Sequence, residues 1–335
     1  MLSQEIKSKA LELGYTACGI IPSAEFKEFT GYVDERVKAF PKSKELYKRM
    51  YGIAKPPAGS KSIIVCIWGF NNYKIPENLE GVVGKFYLLN NTDPLQENGE
   101  VYDRFESYLK TLGMNILEGY IPDRLAAAKA GVGKFGRNNF IFTSEHGSIN
   151  WVDTWSVDIE LDYDPEPEDV YLSACNDKCL KCVEACPTKA LSGGFMMDRG
   201  KCVAHISYRS EDLPPENIRA QLGSWLYGCD ACQDACPVNK NKFAGAKEYP
   251  GLSEFGKYLD LERIMEMDQD TFTEIILPRL NYLGKDGIWL LKCNALRSMI
   301  NSGQEKYHKT IIKYRNDPDA RISGMAGWGC ARLGI

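Results

Sequence analysis

Eight cysteines fall within the 62 residues from Cys175 to Cys236, at spacings that suit thiolate ligands. The first run is Cys175, Cys179, Cys182 and Cys186-Pro187; Cys202 stands alone; the second run is Cys229, Cys232 and Cys236-Pro237. Each run closes with C-x2-C-x3-C-P. Thiolate is a soft ligand suited to iron–sulfur clusters, and in two-cluster sites with this ending the last cysteine serves the other cluster. On that rule one [4Fe–4S] cluster takes Cys175, Cys179, Cys182 and Cys236, and a second takes Cys186, Cys202, Cys229 and Cys232. No ligand is left over. Disulfides suit small secreted domains, and zinc gives no reason for the repeated Cys-Pro endings. One irregularity is the three-residue gap between Cys175 and Cys179, where the common run has two.

The rest of the chain must position these thiols. Its 335 residues suit two or three domains, and 44% hydrophobic with 26% charged residues is ordinary for a globular protein. A net charge of −4 and a pI near 5.6 advertise no global basic field for nucleic acid. The run Lys38, Lys42, Lys44, Lys48 and Arg49 reads as a solvated helix face. No apolar stretch has membrane-spanning length and the N-terminus shows no signal pattern, so a cytoplasmic protein without a membrane partner is expected.

Ser3 starts a helix with Ile6, Ala10 and Leu13 on its apolar face, ended by Gly14. A strand follows from Thr16 to Ile21, then helices up to about Tyr51. Lys61–Phe70 carries an unbroken apolar run that predicts a strand buried on both faces. Residues 71 to 98 read as a long functional loop. Val101, Phe105, Leu109 and Leu112 recur at helical spacing; Met114–Leu117 reads as a strand. A helix opens after Pro122 and ends at Gly131, and strands are expected at Phe140–Thr143 and Asn150–Ile159. Alternating helices and strands argue for an α/β domain over residues 1–165. Pro165 and Pro167 mark the boundary to a cluster domain, residues 166–245. Residues 246–335 read as helices stacked like HEAT repeats, too few to bury a core alone and so docked on the rest.

Several segments together carry a family resemblance. They are Leu11–Ile20, the glycine-rich Lys129–Asn138, both cysteine runs with Cys202 after Met197-Asp-Arg, and the tail around Asn294. Over nearly its whole length the chain resembles the epoxyqueuosine reductases, cobalamin-dependent iron–sulfur enzymes of tRNA modification related to reductive dehalogenases. The resemblance implies an α/β corrinoid domain, a bacterial-ferredoxin-like two-cluster domain and a C-terminal HEAT-like segment. It further implies a relay from an external low-potential electron donor through both clusters to cobalamin, which reduces a tRNA or small-molecule substrate. Gly131, Gly133, Gly136, Arg137 and Asn138 would then lie against the corrinoid. Read alone, those glycines are the turn chemistry of a helix-to-strand loop. The family holds its cofactor without a protein histidine, and His146, His205 and His308 form no ligand pattern.

The chain departs from the family around the substrate. The family's presumed acid is an aspartate followed by Ser-Ala-Pro, and counting back without gaps places Leu117 there. Glu118, Tyr120 or Asp123 are the candidate replacements, a carboxyl needing a pKa raised by burial to donate near neutrality. Gly84–Asn91 replaces the family's Ala-Arg-Tyr segment. These losses leave two rivals to the corrinoid enzyme: a corrinoid-free two-cluster electron-transfer protein serving a partner, and a cytoplasmic reductive dehalogenase. Cys18, Cys66, Cys293 and Cys330 sit in apolar settings and read as small core residues; Trp68, Trp151 and Trp155 read as core or pocket wall.

Overall fold

The structure is a computed structural model describing residues 2–89, 101–175, 178–243, 245 and 247–335. Its centre is a three-stranded sheet in the order β1 (Ala17–Pro22), β2 (Ser62–Gly69), β3 (Asn150–Val157). Both pairings are antiparallel, so the domain is helices packed on an antiparallel sheet and not a parallel-sheet α/β unit. β2 is buried from Ser62 to Trp68, as its unbroken apolar run predicts, because each of its faces meets a helical layer.

On one face Ile20, Ile64 and Trp68 pack with Trp155 against Ile6, Ala10 and Leu13 of helix α1 (Leu2–Leu13). Phe105 and Leu109 of α2 (Val101–Thr111) join them, so both expected apolar stripes point inward. Ile21, Ile63, Val65 and Ile67 form the other face, covered by Leu125 and Ala126–Ala128 of α3 (Asp123–Lys129). The alanines let α3 lie close to the sheet. Gly19 makes the same closeness possible from below, since a Cβ there would stand 2.8 Å from the Ala130 carbonyl oxygen.

Two expected strands are shorter than their sequences suggest. Met114–Leu117 contributes a single bridge, Ile116 to Val157. Phe140–Thr143 shrinks to Ile141–Phe142, paired with Lys134–Phe135. Met114–Leu117 meets only the end of β3, and Phe140–Thr143 meets only the two-residue segment Lys134–Phe135. The expected loop from 71 to 98 holds a short helix at Lys85–Leu88; its stretch from 90 to 98, and with it Asn90 and Asn91, lies outside the described residues.

The tail is built around α4 (Ile288–Ser302) and α5 (Ala320–Leu333). Leu290, Leu291, Leu296 and Met325 share one continuous core with the first sheet face and with Leu226 and Tyr227 of the cysteine region. Among the described residues no helix is long and apolar enough to cross a membrane.

Candidate iron–sulfur centre

The two cysteine runs open short helices at Lys181–Ala185 and Ala231–Asp234, which pack on each other. That contact interleaves the runs. Burial first, and then the nearby Cys175, Cys236 and Cys179, push the Cys182 thiol up to about 11. Burial pushes Cys229 up to about 12, with Cys202 and Cys186 among the groups that raise it. Cys232 is raised by burial first and then by Cys229 and Cys202. Cys175, Cys179 and Cys236 thus stand near Cys182, Cys202 and Cys186 near Cys229, and Cys182 near Cys232. A bound cluster inverts this electrostatics, since coordination deprotonates a thiol outright. Among the described residues no three His, Cys, Asp or Glu side chains close on a single metal ion.

Backbone amides already point at several sulfurs. Arg137 N–H donates to Cys175 Sγ at 3.3 Å and Ala190 N–H to Cys186 Sγ at 3.2 Å. Cys236 accepts from the amides of Val238 and Asn239, and Cys202 from those of His205 and Ala204. Such donors stabilise thiolate and raise a cluster's reduction potential. Four-thiol sets ringed by amide donors fit iron–sulfur clusters.

The sets differ in depth. Lys178, Leu180 and Lys181 beside the first set are exposed, Leu180 by 40%. The second set lies inside, against an aromatic group. Gly228 leaves room for the Tyr87 ring, 2.4 Å from where a Cβ would be, and Tyr87 donates to Tyr208 Oη at 3.2 Å. Asp230, buried at 3% exposure, accepts from the Lys85 amide at 2.8 Å and its ammonium at 3.2 Å. Burial works against the Lys85 charge, but Asp230 and Asp234 outweigh it and hold the pKa above its ordinary value.

Beside this inner set is a cavity of about 210 Å³, walled by Phe70, Phe86 and Ile149 and edged by Lys85, Gln233 and Asp234. Its floor is braced to the sheet. Asn239 Oδ1 accepts from the Ser148 amide at 2.9 Å, Asn239 Nδ2 donates to Ser148 Oγ at 2.8 Å, and Ser148 Oγ donates to Gln233 at 2.9 Å. Lys85, Asp230, Gln233 and Asn239 escape sequence reasoning. The one available signal was the polar spacer of Cys229-Asp-Ala-Cys232-Gln-Asp-Ala-Cys236.

The five residues expected at a corrinoid are all engaged within the protein. A Cβ on Gly133 would stand 2.3 Å from Ile141, and one on Gly136 would stand 2.2 Å from the Phe142 ring. Gly131 takes a left-handed turn at φ +72° beside Pro167. Arg137 Nη2 donates to Cys175 O at 2.8 Å, and Asn138 Nδ2 to Cys232 O at 3.4 Å, both side chains buried. They tie the hairpin to both thiol sets and leave no open cradle, so in this arrangement they do not fit a corrinoid.

None of Glu118, Tyr120 and Asp123 lines the cavity. Glu118 is exposed and Tyr120 is 86% exposed. Asp123 is exposed, its carboxyl accepts from Thr154 Oγ1 at 3.1 Å, and the protein packed around it raises its pKa to about 6. An acid held above its unfolded value of about 4 keeps its proton in the folded state while the unfolded chain loses it, so stability falls as pH rises from about 4 to about 6. Asp123→Asn should therefore melt higher than the parent at pH 7 and show no such gain at pH 4. Equal melting differences at both pH values would refute the raised pKa.

The paired thiol sets and their enclosing fold define an iron–sulfur protein with two cluster sites. The model of the 4Fe-4S double cluster binding domain matches residues 174–239. An epoxyqueuosine reductase of Cyclobacterium marinum is 25% identical over 290 residues, covering 82% of this chain and 89% of that one. One of Staphylococcus aureus is 36% identical over 122 residues, 36% of this chain and 30% of that one. A crystal structure of selenomethionine-labelled epoxyqueuosine reductase has a TM-score of 0.76 at 20% identity, covering 100% of this chain and 91% of that one. A structure of epoxyqueuosine reductase with an epoxyqueuosine-modified tRNA-Tyr stem loop has a TM-score of 0.75 at 20% identity, covering 100% and 90%. The chain is an oxidoreductase that is similar to the epoxyqueuosine reductases over most of its length.

Proposed function

We propose that this chain is a reductase with two [4Fe–4S] clusters, an outer one held by Cys175, Cys179, Cys182 and Cys236 and an inner one held by Cys186, Cys202, Cys229 and Cys232. Bound there, the clusters supply a one-electron relay between an external low-potential donor and an acceptor. The observation that carries this reading is the gathering of eight thiols into two sets at different depths. Exposed Lys178, Leu180 and Lys181 offer the donor a landing surface at the outer set. Tyr87, Tyr208 and Tyr227 keep water from the inner set. The cavity beside it takes the acceptor: Phe70, Phe86 and Ile149 hold a flat apolar group, and the Lys85 ammonium offsets negative charge gained on reduction. At about 210 Å³ it is below the roughly 300–1,000 Å³ of drug-sized ligand sites, so it suits one ring-sized group and not a macrocycle.

The names of the relatives favour a particular acceptor, the epoxide ring of epoxyqueuosine carried on tRNA. Binding through phosphates would make affinity fall steeply with salt.

The test is anaerobic purification from cells supplied with cobalamin, measuring iron, sulfide and cobalt together. About eight irons and eight sulfides per chain without cobalt is the expected result. Four irons would overturn the two-cluster reading, and stoichiometric cobalt would overturn the corrinoid-free one. Dithionite-reduced protein given an epoxyqueuosine-modified stem loop should yield queuosine; an unchanged nucleoside would exclude that acceptor.

A further inference from the structure

We infer that Cys18 and Cys66 form a cross-strand dithiol that a hydroperoxide closes to a disulfide, a modification site distinct from the eight cluster thiols. The two residues face each other across β1 and β2. In the same register Ser23 opposes Lys61, and the Ser23 amide donates to the Lys61 carbonyl at 2.9 Å. Hydrogen-bonded pairs recur at every second residue, through Ile21/Ile63, Gly19/Val65 and Ala17/Ile67, which leaves Cys18/Cys66 at a non-hydrogen-bonded position. There opposed Cα atoms stand about 4.5 Å apart and side chains approach most closely. That separation lies inside the window of about 4.4–6.8 Å that a disulfide requires. Both cysteines are free and their side chains already share a hydrogen bond.

The pair is asymmetric, as a reacting thiol and its resolving partner must be. Cys18 is half-buried on the edge strand, where a small oxidant can reach it. Cys66 is fully buried on the central strand, among Ile20, Ile64 and Trp68. Burial, Cys18 and Asp153 on β3 all hold the Cys66 proton in place, so Cys66 is not the first to react. Cys18 Sγ attacks one peroxide oxygen, the O–O bond breaks, and a sulfenic acid and one water form from hydrogen peroxide. Cys66 Sγ then attacks Cys18 Sγ, the S–S bond forms and the S–O bond breaks, releasing a second water. Two thiols lose two electrons and hydrogen peroxide gains them.

The test is thiol mapping of anaerobically prepared, cluster-loaded protein after equimolar hydrogen peroxide, N-ethylmaleimide quenching and digestion without reductant. The expected product is a peptide pair joining Cys18 to Cys66, lighter by two hydrogens and separated by a thiol reductant. Cys66→Ser should abolish the pair and leave Cys18 as a sulfenic acid, which a second equivalent of peroxide takes to sulfinic acid. Wild-type Cys18 recovered alkylated or as sulfinic acid, with no link to Cys66, would overturn the proposal. Wild-type mapping decides the matter even where Cys66→Ser fails to fold.

Discussion

Cys186→Ala should lose the same cluster as Cys229→Ala, although Cys186 lies 43 residues earlier and only four after Cys182. Cys236→Ala should in turn behave like Cys182→Ala. The grouping follows from which thiols stand together: Cys182 feels Cys175, Cys236 and Cys179, whereas Cys229 feels Cys202 and Cys186. Each variant should retain about four of about eight irons, since a [4Fe–4S] cluster with three cysteines is readily lost while its neighbour keeps four. Electron delivery to any acceptor should disappear in all four, because either gap breaks the route from surface to cavity. Iron analysis with low-temperature EPR of the reduced variants separates the outcomes. If Cys186→Ala matched Cys182→Ala instead, each run would build its own cluster, and the outer and inner sets proposed here would be wrong.

The cysteine pattern was readable because ligand spacing is local, and one C-x2-C-x3-C-P turn dictates where its thiols point. The buried strand Ser62–Gly69 and the stripe Ile6, Ala10, Leu13 were readable for the same reason: periodicity reports which face an element buries. What stayed hidden depends on distant partners. Gly133 and Gly136 look alike whether they make room for a ligand or for Ile141 and Phe142, and only the folded hairpin tells which. Lys85 reads as one more surface lysine until the fold brings Asp230 to it from 145 residues away. Asp230 itself is a spacer between ligands. Cys66 reads as a small core residue, and it is one; that Cys18 lies opposite depends on strand register, which the sequence leaves open.

Asn294→Ala should be among the most damaging single changes in the tail, costing about 3–5 kcal/mol. Asn294 sits in α4, 2% exposed, in a helix whose neighbours are almost all apolar. Its Nδ2 donates to Ser207 O at 2.8 Å and Leu226 O at 2.9 Å, and its Oδ1 accepts from Arg297 Nη1 at 2.7 Å. Arg297 is 1% exposed and also donates to Trp225 O; burial lowers its pKa to about 10. Removing Asn294 strands two buried carbonyls and takes an acceptor from a buried cation. Arg297→Met should cost less, about 1–3 kcal/mol, because it removes the desolvated charge together with its bonds and orphans only neutral acceptors. Urea or thermal melts of the two variants and their double mutant measure both costs and their coupling. The damage should also reach the metal centre. Ser207 belongs to the helix that follows Cys202, Trp225 and Leu226 lead into Cys229, and the Gly228 amide donates to Ser207 Oγ at 2.8 Å. Asn294 therefore clamps the two segments that carry half of the inner thiol set. On mild heating Asn294→Ala should release iron from that set first, leaving the outer cluster's EPR signal. Parallel loss of both signals would mean that the tail supports the fold as a whole and has no particular hold on the inner centre.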